Sequence, residues 1–338
     1  MEDYRMIQIV KWLISCLVVF SYGSFAATVD EGVDLFNQQK YKQALLVFEP
    51  LAEKGDARAM LWLGVTQFQT GEQFAAASTL LQAAEAGSPW AMHLMVPSYN
   101  GNCAYLGWPC DEAWMDKAVD EWKKRADEGD GKSMYALLRW GDKPWWAYVP
   151  ILKKKKYGEL VEEAVKAGGY KAASYNMYIP IEMKKNVELL EYEATQGYAP
   201  AMMDLYYIND SSSVENLDLA RQALSLGYSS GAFSLLFYFS RELPDIETES
   251  DIKKLSEDIK DKYKNAYYYS LVEKYFSGED RTFYIKEKVV NDKGEEVYIN
   301  ILSDSEMKEV ESRAQEFVKD LTINMFLDDS TVGALVER

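Results

Sequence analysis

Cysteine and histidine are the rarest of the residues that could do chemistry in this sequence. It contains three cysteines and a single histidine, His93, among 338 residues. Cys103 and Cys110 lie close together in a segment with glycine and proline, and in an exported chain such a pair predicts a disulfide bond. A zinc ion would need two more soft ligands. Because Cys16 lies in the N-terminal segment and no second histidine exists, we predict no metal site.

His93 as a catalytic residue would need a nucleophile and an acid close to it in space. The sequence has no Gly-x-Ser-x-Gly motif, and it has neither a phosphate-binding loop nor a dinucleotide fingerprint. Carboxylates are plentiful, as at Asp127-Glu128 and Glu162-Glu163, so a glycosidase-like pair stays open as an alternative. Their helical settings favour solvent-facing positions. We therefore predict no catalytic residue and no cofactor.

The composition indicates a folded and strongly acidic protein. Lysine and arginine number 37 and aspartate and glutamate 54, which gives a formal net charge of -17. This charge disfavours nucleic acid as a partner. Apolar residues make up 48% and aromatic residues 14%, far more than in a disordered acidic chain. Lys153–Lys156 is an exception, since four lysines in a row could engage an anionic lipid or partner, although a solvated helix end is the simpler interpretation.

The N-terminal segment has the pattern of a secretory signal. A basic residue precedes an apolar run, Trp12–Phe20, and small residues follow it, which predicts cleavage after Ala26. The apolar run is shorter than the roughly 20 residues that a membrane anchor needs. A lipoprotein-like cysteine at Cys16 is a further alternative, but the apolar stretch continues past it. Translation could begin at Met1 or Met6. We expect a periplasmic protein with no membrane insertion after signal cleavage.

A ten-residue phrase with glycine at its fifth position recurs six times along the chain. Its glycines are Gly55, Gly87, Gly129, Gly168, Gly197 and Gly227. Such a glycine predicts a helix end in the left-handed conformation. A small residue follows four positions later and allows a second helix to approach closely. Each unit is therefore a helical hairpin with one apolar side, which is buried by stacking on its neighbours.

The phrase ends in Ala-Met at Ala59-Met60 and Ala91-Met92, and Leu63-Gly64 follows its first copy. In these features the sequence resembles the Sel1-like repeat family, a relative of the tetratricopeptide repeats, across about residues 28–240. The resemblance implies an all-α fold, a right-handed α-solenoid of helical hairpins. The expected organisation is a signal peptide at 1–26, a solenoid at 27–243 and a C-terminal region at 244–338. The spacing of the phrases varies, so the number of repeats stays open.

The C-terminal region departs from the repeat pattern. Residues 250–276 have the character of one or two charged helices, and residues 282–301 predict a β-hairpin that turns at Asp292 to Gly294. A helix is expected from Ser305 to Met325, preceded by capping side chains. We interpret the region as a helical cap for the array, with a separate partner-binding module as the alternative.

The resemblance also implies which residues face the inner, concave side of the array. They stand six and ten positions after each glycine, and most are of types that protein interfaces favour. The candidate partner-binding residues are His93, Tyr135, Arg139, Tyr178, Met203, Tyr207, Phe233 and Phe237. The alternative, of equal weight, is that the aromatic residues pack between helices.

These observations favour a non-catalytic, exported protein that binds another protein. The resemblance points to immunity proteins, which block toxic effectors delivered by neighbouring cells, lipases of type VI secretion systems among them. A periplasmic scaffold or regulator of envelope proteins is the second hypothesis. A hydrolase acting on cell-wall-like substrates is the third.

Overall fold

The computed structural model describes residues 27–174, 180–209, 213–241, 243–278, 286–291 and 293–336. The predicted signal peptide, Tyr178 and Asp292 lie outside these residues.

The repeat region is built of helices that pack consecutively along the chain. They are α1 (Val29–Asn37), α2 (Tyr41–Ala52), α3 (Ala57–Gln69), α4 (Gln73–Glu85), α5 (Pro89–Leu94), α6 (Asn102–Tyr105), α7 (Ala113–Asp127), α8 (Gly131–Trp140), α9 (Pro150–Lys166), α10 (Lys171–Ser174), α11 (Met183–Thr195), α12 (Ala199–Ile208), α13 (Val214–Ser225) and α14 (Ser229–Ser240). A short 3₁₀-helix, Trp145–Tyr148, precedes α9. Most of these helices pack mainly on their neighbours in sequence, and α5 packs on α7 past the short α6, which confirms the α-solenoid.

The six phrase glycines all end helices in the predicted way. Their φ angles lie between 80° and 95°. At the first of them, the amide of Asp56 donates to the carbonyl oxygen of Leu51 at 3.2 Å, and the equivalent bond recurs after every phrase glycine. The Asp56 side chain then caps the next helix by accepting from the amides of Arg58 and Ala59. Helix end and helix start are thus both encoded within one phrase.

The small residue of each phrase lies where two helices meet. Ala59, Ala91, Ser133 and Ala201 are fully buried. The last copy has Gly231, where an added methyl group would collide with the carbonyl oxygen of Ala220 and lie 2.7 Å from the amide nitrogen of Leu224. A larger side chain at this position would separate the packed helices.

The C-terminal region continues the packing of the array and adds a hairpin. Its elements are α15 (Glu249–Lys253), α16 (Glu257–Ser277), β1 (Lys286–Val290), β2 (Glu296–Asn300), α17 (Asp304–Lys319) and α18 (Gly333–Val336). Helix α16 packs on α14 and α17 packs on α16. The strands are antiparallel, with Val289 opposite Val297, so the small β-hairpin is confirmed.

The helix expected to reach Met325 ends at Lys319 instead. The residues that follow, 320–332, contain no helix. Their backbone groups pair with the repeat helices, as described below, and this explains why the helix does not continue. The prediction for this end of α17 was therefore wrong.

Candidate functional site

A C-terminal segment, residues 321–336, runs across the repeat helices and ends in α18, and we call it the strap. Near its start, the Asn324 amide donates to the carbonyl oxygen of Gly227 at 2.9 Å, and the Met325 amide donates to that of Asn37 at 3.2 Å. The Asn37 side chain closes a pair of hydrogen bonds with the backbone of Leu327, at 2.7 and 2.9 Å. Neighbouring strap residues therefore hold both the first helix and the sixth phrase of the array.

The middle of the strap is held by a buried carboxylate. Asp329 is 8% exposed. Its oxygens accept from the Trp62 indole nitrogen at 2.6 Å and from Arg58 Nε at 2.8 Å. Arg58 also pairs with the exposed Asp30 at 2.7 Å. Because a buried carboxylate needs partners, this cluster fixes the strap against α3.

The end of the strap reaches the disulfide loop. Gln69 donates to the carbonyl oxygen of Leu335 at 3.0 Å, and the Asn102 side chain donates to that of Val336. Asn102 directly precedes Cys103, which forms the predicted disulfide with Cys110 across a Cα–Cα distance of 5.7 Å. Since the bond closes a small loop, it should stabilise the fold by about 2–3 kcal/mol.

Three of the candidate concave residues are buried and do not form an accessible surface. His93, Tyr135 and Met203 are each 3% exposed. These side chains pack in the interior of the array, as the alternative interpretation expects for the aromatic residues, and they are not available to a partner. His93 lies among the rings of Trp140, at 4.3 Å, and Trp122, at 5.8 Å.

Burial also sets the protonation state of His93. Desolvation, helped by the positive charge of Arg139, lowers the pKa of His93 to about 4. The imidazole is therefore neutral near pH 7. Arg139 itself is exposed on α8, with its guanidinium 5.0 Å from the Trp140 ring.

Three other candidates come together on the surface. Tyr207 on α12 is 60% exposed, and Phe233 and Phe237 on α14 are 49% and 58% exposed. The Tyr207 hydroxyl is 2.9 Å from Ser234 Oγ, which places it against α14. Phe233 and Phe237 are one helical turn apart. We call Tyr207, Phe233 and Phe237 the aromatic patch. Arg139, on α8, lies on a different repeat.

Two poorly solvated carboxyl groups, those of Glu193 and Asp204, were not predicted from the sequence. Glu193 on α11 is fully buried. Burial and the nearby carboxyl group of Asp204, on α12, raise the pKa of Glu193 to about 9. Burial also raises the pKa of Asp204. The sequence contains a sign of this buried carboxyl group. Glu193 is the first residue of the fifth phrase, and four of the other five copies have Leu or Ala at that position.

A cavity of about 250 Å³ lies between the strap and the repeat helices. Its lining includes three of the candidate residues, His93, Tyr135 and Arg139, together with Lys171 and Tyr198, but neither Glu193 nor Asp204. Within the described ranges, no group of three His, Cys, Asp or Glu side chains could hold a metal ion. No helix of the described part of the chain is long and apolar enough to cross a bilayer.

No family model matches the sequence, and no curated protein matches it. Among solved structures, the chain is similar to a protective antigen present in uropathogenic Escherichia coli strains, which displays an SLR fold. The two chains are 15% identical, and the match has a TM-score of 0.40. It covers 87% of this chain and 62% of that protein. The repeat architecture described above rests on the helix ends and helix packing of this chain itself.

Proposed function

We propose that this chain is a non-catalytic binding protein whose partner is another protein, contacted through the aromatic patch. The observation that carries the proposal is the exposure of Tyr207, Phe233 and Phe237, 60%, 49% and 58%, on neighbouring helices. Exposed tyrosine and phenylalanine side chains that lie together are typical of protein interfaces. Because these three rings are largely exposed, they contribute little hydrophobic stabilisation to the fold itself.

The patch is also held in place before a partner arrives. Tyr207 is fixed by its hydrogen bond to Ser234, and both phenylalanines project from a regular helix. Fewer side-chain rotamers are lost on binding when the rings are already ordered, so more of the contact energy appears as affinity.

The finer proposal is that the protein is exported to the periplasm and acts as an immunity protein, which binds and inhibits a toxic effector such as a phospholipase. The disulfide supports an oxidising compartment. The net charge of -17 would accelerate association with a basic effector. A periplasmic scaffold or regulator of envelope proteins is the alternative.

Hydrolysis of cell-wall-like substrates has less support. His93 is buried with a pKa of about 4, and the Glu193 and Asp204 carboxyl groups do not line the neighbouring cavity. His93 does line that cavity, beside Tyr135 and Arg139, so a substrate there would meet a neutral imidazole but neither carboxyl group.

The test compares the mature chain, residues 27–338, with the variant Y207A/F233A/F237A. Phe74 is 77% exposed on α4, so F74A is a matched control that removes an exposed ring elsewhere. The mature protein is used to capture partners from the producing strain, and each captured protein is then produced alone and titrated. We expect the patch variant to lose at least about tenfold in affinity, since interface aromatics often contribute more than 1.4 kcal/mol. Unchanged affinity in the patch variant would reject the proposal.

Growth separates the immunity role from the scaffold role. Cells that make the captured effector in the periplasm should be rescued by the full-length protein and by F74A. The patch variant and a version that lacks residues 1–26 should fail. Capture of an envelope protein without rescue would favour the scaffold.

A further inference from the structure

A second exposed apolar feature lies at the start of α9. Trp145 is 72% exposed, Tyr148 is 74% exposed and Ile151 is 86% exposed. We call these three residues the tip. Trp145 and Tyr148 begin and end the 3₁₀-helix, and three residues per turn place them on the same side.

The tip is supported by the two residues between Trp145 and Tyr148, half-buried Trp146 and buried Ala147. Trp146 packs edge-on against Tyr157 at a ring distance of 5.0 Å, and Ala147 is 8% exposed. Because the two middle residues of this helix face the array, the Trp145 and Tyr148 side chains lie in solvent. Apolar side chains that are clustered and exposed in this way are typical of interaction sites.

The tip is bordered by the only run of four lysines in the chain. In a helix, residues three and four positions apart share a face, so Lys154 and Lys155 lie on the side of Ile151. Both lysines are exposed. Glu159 pairs with Lys156 at 2.8 Å and more loosely with Lys155 at 4.0 Å. An apolar tip with a basic border therefore stands out from a chain of net charge -17.

We propose that the tip docks on the surface of a bilayer that carries anionic headgroups. Trp145 and Tyr148 would lie at headgroup level, where such side chains are enriched, and Ile151 would enter the acyl boundary. Lys154 and Lys155 would contact lipid phosphates. The proposal goes beyond the protein-binding function and does not depend on it, because the aromatic patch is on α12 and α14.

The composition of this surface favours a membrane over a protein partner. Protein interfaces are depleted of lysine and use arginine instead, whereas lysine beside tryptophan and tyrosine is typical of membrane-surface segments. The acidic remainder of the protein opposes this docking only over short distances, since charges are screened beyond about 8 Å at physiological salt. Because the tip has only three apolar side chains and a few lysines, its binding to a bilayer should be reversible and should weaken as salt rises.

The experiment measures co-sedimentation of residues 27–338 with vesicles of phosphatidylcholine, with and without phosphatidylglycerol. The wild-type chain should bind the anionic vesicles, and binding should weaken as salt rises. W145S/Y148S/I151S should lower the partition coefficient by at least about tenfold. K154Q/K155Q should lower it by about 30-fold on anionic vesicles, since each lysine near such a surface contributes about 1 kcal/mol.

Matched controls separate the tip from nonspecific adhesion. F74S removes an exposed ring, and K42Q/K54Q removes two exposed lysines of α2 and the turn after it. Both controls and the aromatic-patch variant should bind vesicles like wild type, and all variants should keep the wild-type melting temperature. Equal binding by tip variants and controls, or no binding to anionic vesicles at low salt, would overturn the proposal. Loss of protein capture by the tip variant with unchanged vesicle binding would assign the tip to a protein interface and overturn it as well.

Discussion

At the scale of single residues, burial decides the chemistry of this protein. His93 is the sole histidine of the chain, and its position among aromatic rings removes it from water. The Glu193 and Asp204 carboxyl groups are removed from water in the same way. The pKa of each of these three groups is therefore shifted toward its neutral form, and its protonation depends on the fold.

The imidazole of His93 should titrate far below its ordinary range. Its pKa is lowered from 6.5 to about 4 by burial and by Arg139. Because the chain has a single histidine, one pair of imidazole signals in an NMR titration follows it directly. The unfolded chain binds this proton below pH 6.5, so stability should fall as the pH drops from 6.5 toward 4. A midpoint near 6.5 in the folded protein would contradict the buried position.

Replacing Glu193 with glutamine should stabilise the protein, and more so in alkaline solution. The unfolded chain loses this proton near pH 4.5, and the folded chain loses it near pH 9. The folded state holds more protons between these values, so the free energy of unfolding falls as pH rises. E193Q removes this dependence. We expect a melting temperature at least about 2 °C higher at pH 8, with a smaller gain at pH 5.

The control for E193Q is E162Q. Glu162 is a surface carboxylate whose pKa is lowered to about 2 by hydrogen bonds from Lys166 and Lys185. Folding favours the ionised form of Glu162, so E162Q should not raise the melting temperature at pH 8. Equal behaviour of the two variants would show that Glu193 is ionised in the folded protein.

At the scale of the elements, the contact between consecutive helices depends on one small residue per phrase. G231A should destabilise the protein by about 1–3 kcal/mol, because the methyl group would collide with the backbone of α13. The measurement is urea unfolding followed by circular dichroism.

Gly158, in helix α9, differs from Gly231 because it has space for a larger side chain. An added methyl group at Gly158 would meet nothing within 4 Å. Alanine is the better helix former, so G158A should stabilise α9 by about 0.5–1 kcal/mol. If both glycine substitutions had the same sign, close packing at the phrase would not be the cause.

At the scale of the whole molecule, the strap couples elements that are far apart in sequence. Asp329 joins the strap to Arg58 and Trp62 on α3. D329A would leave the charge of Arg58 and the Trp62 indole without this partner, at a cost of about 2–4 kcal/mol. Hydrogen exchange should then accelerate in α1 to α3 before it does so in α16. D30A is the control, because the 78% exposed Asp30 pairs with the same Arg58 on the surface and should cost less than about 1 kcal/mol. Equal costs for the two variants would mean that the strap does not hold the first helices.

The repeat unit could be predicted from short-range sequence patterns alone. A glycine at a helix end, a small residue four positions on and, in the first three copies, a capping aspartate or serine act within a dozen residues, so hairpins follow from local rules. The Cys103–Cys110 disulfide and the β-hairpin are also formed by residues that are close in sequence.

Which side chains are exposed to a partner became clear only from the tertiary structure. The same repeat position is buried at His93 and exposed at Phe233. The strap pairs residues as far apart as Asn37 and Leu327, at a separation of 290. Burial of this kind depends on contacts between distant segments, whose energies no local pattern contains.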